Sequence, residues 1–486
     1  MNNRISEALL RVHLTCMQSA FYGRARMKKY DIIVAGSGAA GVFLSYELTR
    51  IKNNASILII DKGAPVEERI CPISAGKSST CIKCTPCHIM NGYGGAGTLS
   101  DGKYNITTEF GGDLHRYLGR EKAMELMEYV DSVLCENGGA EAKLYSTENS
   151  DLKTLALRNN LHLLQAKVRH LGTDRNAKIL QTLFDQTKER VDFMFRTCVD
   201  SVEVRGDHDF AVRTGKGDEF ECSDLVLATG RSGSKWISKI CEENGIAQKN
   251  NRVDIGVRVE LPAEIFKPIT DAVYEAKLVY KTDKYTDMVR TFCMNPYGEV
   301  VAENTNGIIT VNGHSYADEG LRTENTNFAL LVSNKFTEPF EDSNEYGESI
   351  ARLSNMLGGG VLMQRFGDLV KGRRSSERRM EKCFTRPTLQ ATPGDLSLVI
   401  PKRQLDNIIE MVYALDKIAP GTANEDTLLY GVEVKFYNSK VEVDKNLETK
   451  VKGLYALGDG SGVTHSLSQA SASGVYVGRI LADKYK

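Results

Sequence analysis

The stretch YDIIVAGSGAAGVFLSYELTRIKNNASILIIDKG, residues 30–63, constrains the fold more than any other part of the chain. YDIIVAG is an apolar run of strand length, GSGAAGVFLSYELTRIK opens on glycines and continues as a helix, and SILIIDKG is a second apolar run ending in an acid. Strand, helix and strand in this order predict a βαβ unit with parallel strands. Gly36, Gly38 and Gly41 fit the pattern G-x-G-x-x-G. The first permits a tight turn, the second lets backbone approach a pyrophosphate, and the third allows the helix to pack close to the strand. Asp61 follows roughly 20 residues later, where an acid accepts hydrogen bonds from a ribose hydroxyl. The unit predicts a dinucleotide site, with Gly36, Ser37, Gly38, Ala39, Ala40 and Gly41 at the phosphates and Asp61 and Lys62 at the ribose.

A chain of 486 residues can carry more than one domain around such a unit. Its 41% hydrophobic and 26% charged residues are those of an ordinary globular protein, and no apolar run reaches the roughly 20 residues of a membrane span. With a net charge of -1, nothing in the overall charge draws the molecule to nucleic acid or to an anionic membrane. Eleven cysteines, an odd number without a secretory signal, point to a reducing, cytoplasmic setting. Residues 1–29 carry Arg4, Arg11, Arg24 and Arg26 against Glu7 alone. This is the composition of an organelle transit peptide, and the competing reading is a disordered tail ahead of a true start at Met27.

Two later segments decide which dinucleotide is expected. LVLATGRSG, residues 225–233, is an apolar strand entering a glycine turn, preceded by alternating segments (DFMFRTCVDSVEV, DFAVRTG, EFEC) that predict a small β-meander. GLYALGDGSGVTHSLSQASASGVYVGRILA supplies another strand, ending at Gly458 and Asp459, then a helix of small residues. With the first βαβ unit, these segments resemble the FAD-contacting pieces of the glutathione-reductase-like flavoprotein superfamily. The resemblance implies FAD contacts at Val199, at Ala228, Thr229 and Gly230, and at Gly458, Asp459, Gly462 and Val463, with Asp459 on the ribityl chain. No second strand with G-x-G-x-x-G occurs, so electrons are expected from the substrate, from transiently docked NAD(P)H or from an electron-transfer partner.

Residues 251–450 read as an insertion facing the substrate. It mixes strand-like runs (RVDIGVRVELP, GIITVNG, NFALLVS, TLLYGVEVKFY) with two helices. In the second, Leu405, Ile408, Ile409 and Val412 keep the spacing of a core-facing stripe. The predicted fold is α/β: a Rossmann-like FAD-binding domain with a β-meander (30–250 and 451–486) and an inserted α+β substrate domain. The motifs GGAGTLSDGKYN, TENTNFALLVSNKF, QRFGDLVKGRRSS, TLLYGVEVKFY and LYALGDGSGVTHSLSQASASG are similar to those of a family of uncharacterised FAD-dependent dehydrogenases. That resemblance implies FAD and two domains without fixing a reaction.

The loop CPISAGKSSTCIKCTPCHIMNGYGGAGTLSDGK, residues 71–103, carries two further expectations. Its glycine half places Gly95, Gly97, Thr98 and Ser100 against the flavin, with Lys103 near enough to tune its potential or relay a proton. Its cysteine half, Cys71, Cys81, Cys84 and Cys87, admits an iron-sulfur cluster, a zinc ion, a redox dithiol or a set of buried small residues. In KGRRSSERR and just before it, Arg365, Arg373 and Arg374 are candidates for gripping an anionic substrate. His314 and His465 are candidate acids or bases. The expected function is an FAD-dependent oxidoreductase moving a hydride or electron pair between the flavin and a small, anionic substrate. The competing one is an RNA-modifying or partner-docking flavoprotein whose FAD is structural or an electron relay beside the cysteine loop.

Overall fold

The apolar run around Ile32 and Ile33 forms β1 (Lys28–Ala35), buried in the middle of a parallel sheet. The computed structural model describes residues 27–486 except 73–74, 78–81, 83, 149–150, 306, 317–318, 337–338 and 341. Cys81 and residues 1–26 of the N-terminal extension thus lie outside the described residues, while Lys28 and Lys29 already belong to β1. α1 (Ala39–Arg50) and β2 (Ile57–Ile60) follow, and β1 pairs in parallel with β2 from Ile32 opposite Ile57 to Ala35 opposite Ile60.

β3 (Asp192–Met194) extends the sheet beyond β2. β4 (Val199–Gly206), β5 (Asp209–Thr214) and β6 (Glu219–Leu227) make the antiparallel meander. β6 sits inside this one sheet: its first residues pair antiparallel with β5 on one side, and nearly its whole length runs parallel to β1 on the other. DFMFRTCVDSVEV is divided between β3 and β4. Arg196 takes a left-handed φ of 52° and turns the chain between β3 and β4.

The inserted region supplies β7 (Val253–Pro262), β8 (Met288–Asn295), the hairpin β9 (Glu299–Thr305) and β10 (Ile308–His314), β11 (Asn325–Asn334) and β12 (Leu428–Lys435). An eight-stranded sheet runs in the order Thr392–Pro393, Leu362–Arg365, β12, β7, β11, β8, Leu278–Lys281, Leu161–Leu163. The helix Lys402–Asp416 packs on it with Leu405, Ile408 and Val412 buried, as their spacing predicts, and Ile409 half-buried. Two boundaries differ from the sequence expectation. Leu161–Leu163 adds to the edge of the second sheet, and Val441 and Leu447 pack into the cores of the first, where their apolar side chains leave water.

β13 (Leu454–Ala456) returns the chain to the first sheet beside β6, and α2 (Leu467–Lys484) lies across α1. Their backbones touch: a Cβ on Gly474 would sit 2.1 Å from the Ala40 carbonyl oxygen. Among the described residues no helix is long and apolar enough to cross a membrane.

Candidate cofactor and substrate cleft

The turn between β1 and α1 is built for close backbone approach. Gly36 has φ 105°, and a Cβ on Gly41 would lie 2.3 Å from the Gly36 carbonyl oxygen. No side chain caps α1 at Gly38, so the first-turn N-H groups are left for an anion. Asp61 braces this turn: one carboxylate oxygen accepts from Ser37 N at 2.8 Å and Ser37 Oγ at 2.9 Å, the other from Gly63 N at 2.7 Å. Further lone pairs of the carboxylate remain for a ribose hydroxyl. The glycine loop docks on the same turn, with Gly94 N donating to Ser37 O at 2.7 Å.

Nearby, the buried hydroxyl of Thr229 has no hydrogen-bond partner among the described residues. An orphaned hydroxyl beside an uncapped helix start fits a phosphate-bearing dinucleotide. Other residues expected at this ligand are engaged otherwise. Thr98 Oγ1 donates to Tyr93 O at 2.6 Å and Ser100 Oγ to Gly97 O at 2.6 Å, so both hydroxyls hold their own loop. The Val199 side chain packs into the core behind the meander. Val463 is buried and its carbonyl accepts from Asp113 N at 2.8 Å.

A cleft of 1160 Å³ opens between the two sheets, lined by Gly97, Ser100, Lys103, residues 108–113 and 115–117, side chains of β8 and of the β9–β10 hairpin, Lys435, Tyr437 and His465. It exceeds the roughly 300–1,000 Å³ of most small-ligand pockets, which leaves room for a ring system and a second small molecule. Nine lysines and arginines line it against five acids, so its field favours anions. Lys103 lies 3.0 Å from Asp101, and Lys277 lies 2.6 Å from Glu275. Burial alone would lower the Lys103 pKa, but Asp101 and Glu275 overcome it and hold the ammonium above the usual lysine range. These neighbours favour the charged form of Lys103. Glu275 is held at about 2 in spite of burial, by Lys277 and Lys103.

Asp459 accepts two partners at the inner end of the cleft: Arg231 Nε at 3.2 Å and His465 Nδ1 at 3.1 Å. Burial alone would raise its pKa, yet Arg231 and His465 hold it well below the usual carboxylate range. The His465 side chain is only 8% exposed, and burial pulls its pKa below the ordinary imidazole value in spite of Asp459. A neutral ring bonded through Nδ1-H to the carboxylate keeps a lone pair on Nε2. Its backbone is fixed by His465 N donating to Gly111 O at 2.8 Å. His314 also lines the cleft, edge-on to Tyr316.

The arginines chosen from sequence do not reach this cleft. Arg365 and Arg373 are drawn to the fully buried Asp368, Arg373 at 2.8 Å, and Arg365 also pairs with Asp426. Arg374 offers its carbonyl to Arg379 and is exposed. Arg365 and Arg373 thus belong to an ion-pair network around Asp368, while Arg374 makes no ion pair among the described residues. Cys71, Cys84 and Cys87 are half-buried free thiols, and among the described residues no three His, Cys, Asp or Glu side chains group as a metal site. Lys435, Tyr437, Arg290 and Glu275 were missed. The one local signal was a lysine and a tyrosine continuing the buried strand TLLYGVEVKFY.

Residues 253–436, which hold most of the cleft's second wall, match the family model described as FAD-dependent protein, C-terminal domain-like. This region is similar to the C-terminal domain of FAD-dependent proteins. The family and the Gly36–Gly41 turn point to the same cofactor, FAD. No curated protein matches the chain. Among solved structures, glycine oxidase from Geobacillus kaustophilus aligns at 11% identity and a TM-score of 0.41, covering 95% of this chain and 96% of that one. A quinol-fumarate reductase with menaquinol molecules aligns at 13% and 0.42, covering 95% of this chain and 72% of that one. At such identities and scores these likenesses say nothing of the reaction.

Proposed function

We propose that the chain is an FAD-dependent oxidoreductase that works on a small anionic molecule in the cleft. The observation that carries this reading is the cleft itself, whose excess of lysine and arginine lies next to His465 and the glycine loop. FAD, held by the Gly36–Gly41 turn with Asp459 and Thr229 nearby, would supply the two-electron chemistry. The chain's own residues do the rest. Excess positive charge draws the anion in and limits its orientation. His465 Nε2 accepts a proton from a substrate being oxidised, or returns one to a substrate being reduced, while Asp459 fixes the ring and its tautomer. Lys103 and Lys277, paired with Asp101 and Glu275, contribute positive charge to the cleft.

The test is anaerobic spectroscopy of the purified protein. FAD released on denaturation is expected, with its absorbance bleached by members of a panel of small hydroxy and amino acids, or restored from the reduced state by keto acids, and unaffected by their amides. Protein without FAD, or one responding equally to the amides, overturns the reading.

A further inference from the structure

Of the nine cations that line the cleft, seven already have a carboxylate. The inner ones are Lys103 with Asp101, Lys277 with Glu275, and Arg290 with Asp254. Arg252, Arg116, Lys440 and Lys249 are likewise paired, with Asp254, Asp113, Asp113 and Glu442. Lys335 is exposed at the rim. Lys435 is different. At the end of β12, half-buried, its ammonium makes no ion pair and no hydrogen bond among the described residues, and rests 3.7 Å from the centre of the Phe292 ring and 5.2 Å from that of Tyr437. Two aromatic faces hold a cation in place without neutralising it.

We propose that Lys435 grips the anionic group of the substrate, taking from the ligand the carboxylate or similar anion that the protein withholds. The proposal rests on the oxidoreductase reading for the ligand's role as substrate, but not for its binding. The surroundings favour it. Arg290 and Cys293 face the ammonium from β8, Asp254 from β7, Arg231 from beyond β6 and His465 from ahead of α2, with Glu433 on its own strand, Tyr437 just past the strand's end and Lys277 over the same Phe292 ring. Burial, then Arg290, pull its pKa well below the lysine range, with Arg231 adding to this and Cys293 and Asp254 opposing. Asp254 is engaged by Arg290, Tyr437 and Ser333 and does not neutralise it. An arriving anion both pairs with the ammonium and favours its protonated form, so binding takes up a proton.

The experiment is calorimetric titration of the holoenzyme with oxalate and with inorganic phosphate, in buffers of different ionisation enthalpy. FAD content is read from absorbance in the same samples. Lys435→Met is expected to weaken either anion roughly ten- to a hundred-fold, the range for loss of a charged hydrogen bond, and to abolish proton uptake. Lys435→Arg should restore most of the affinity, which shows that the loss is not one of folding. Unchanged anion affinity in Lys435→Met, failure of Lys435→Arg to restore it, or no anion binding to the wild type overturns the proposal. Absence of FAD with anion binding intact would overturn the oxidoreductase reading and leave this one standing.

Discussion

His465 Nδ1 lies 3.1 Å from Asp459 Oδ1, while the other oxygen of the same carboxylate lies 3.2 Å from Arg231 Nε. One acid thus orients a cleft imidazole and remains ionised through a guanidinium.

If His465 is the base, its protonation sets the acidic limb of the rate profile. Because burial depresses its pKa, the limb is expected below the ordinary imidazole value of about 6.5. Asp459→Asn removes the carboxylate that favours the charged ring and should move the limb lower still. His465→Gln should lower kcat by about 10²- to 10⁴-fold with FAD retained. Steady-state rates across pH 5–9 check both.

Lys103 is a structural cation. Lys103→Met leaves Asp101 without its lysine and Glu275 with Lys277 alone, and is expected to cost roughly 3 kcal/mol, as breaking a buried pair does. Denaturant unfolding measures this. A shifted pH-rate limb with unchanged stability would contradict it.

Glu433 sits against the fully buried Arg258 at 3.3 Å, and burial raises its pKa to about 7, with Arg258 only partly offsetting this. An acid whose folded pKa lies above its unfolded value loses stability as pH rises from the unfolded pKa to the folded one. Stability should therefore decline between about pH 4.5 and pH 7 through this group. In Glu433→Gln that decline should be smaller, as seen in thermal melts at several pH values.

The crossing of α2 over α1 tolerates no side chain at Gly474, where a Cβ would meet the Ala40 carbonyl oxygen at 2.1 Å. Gly474→Ala is expected to cost about 2 kcal/mol, as overpacking does. It should also loosen FAD if, as proposed, the phosphates sit at the start of this helix, since Ala40 belongs to its first turn. Equilibrium unfolding and FAD dissociation report the two effects.

Arg373 supports the loop that it begins, not the ligand. Arg373→Met removes a half-exposed partner of Asp368 and should lower stability by only about 1 kcal/mol. The oxalate dissociation constant should stay unchanged, by the same calorimetry.

The sequence by itself determined the βαβ unit, the meander, the core-facing helix at Leu405 and the strand ending at Asp459. Each is written in local periodicity and in glycines whose backbone geometry no other residue supplies. It also named His465 and Lys103, which follow glycine-rich turns within short motifs. Local pattern could not assign what the charges do. KGRRSSERR is as basic as a substrate site, yet the buried Asp368 draws in its Arg373 and Arg379. Lys435 is one lysine among many until β12 sets it beside Phe292 of β8, with no acid paired to it among the described residues. Electrostatic roles depend on which partners long-range strand pairing brings within a few ångströms. Only the tertiary structure decided that.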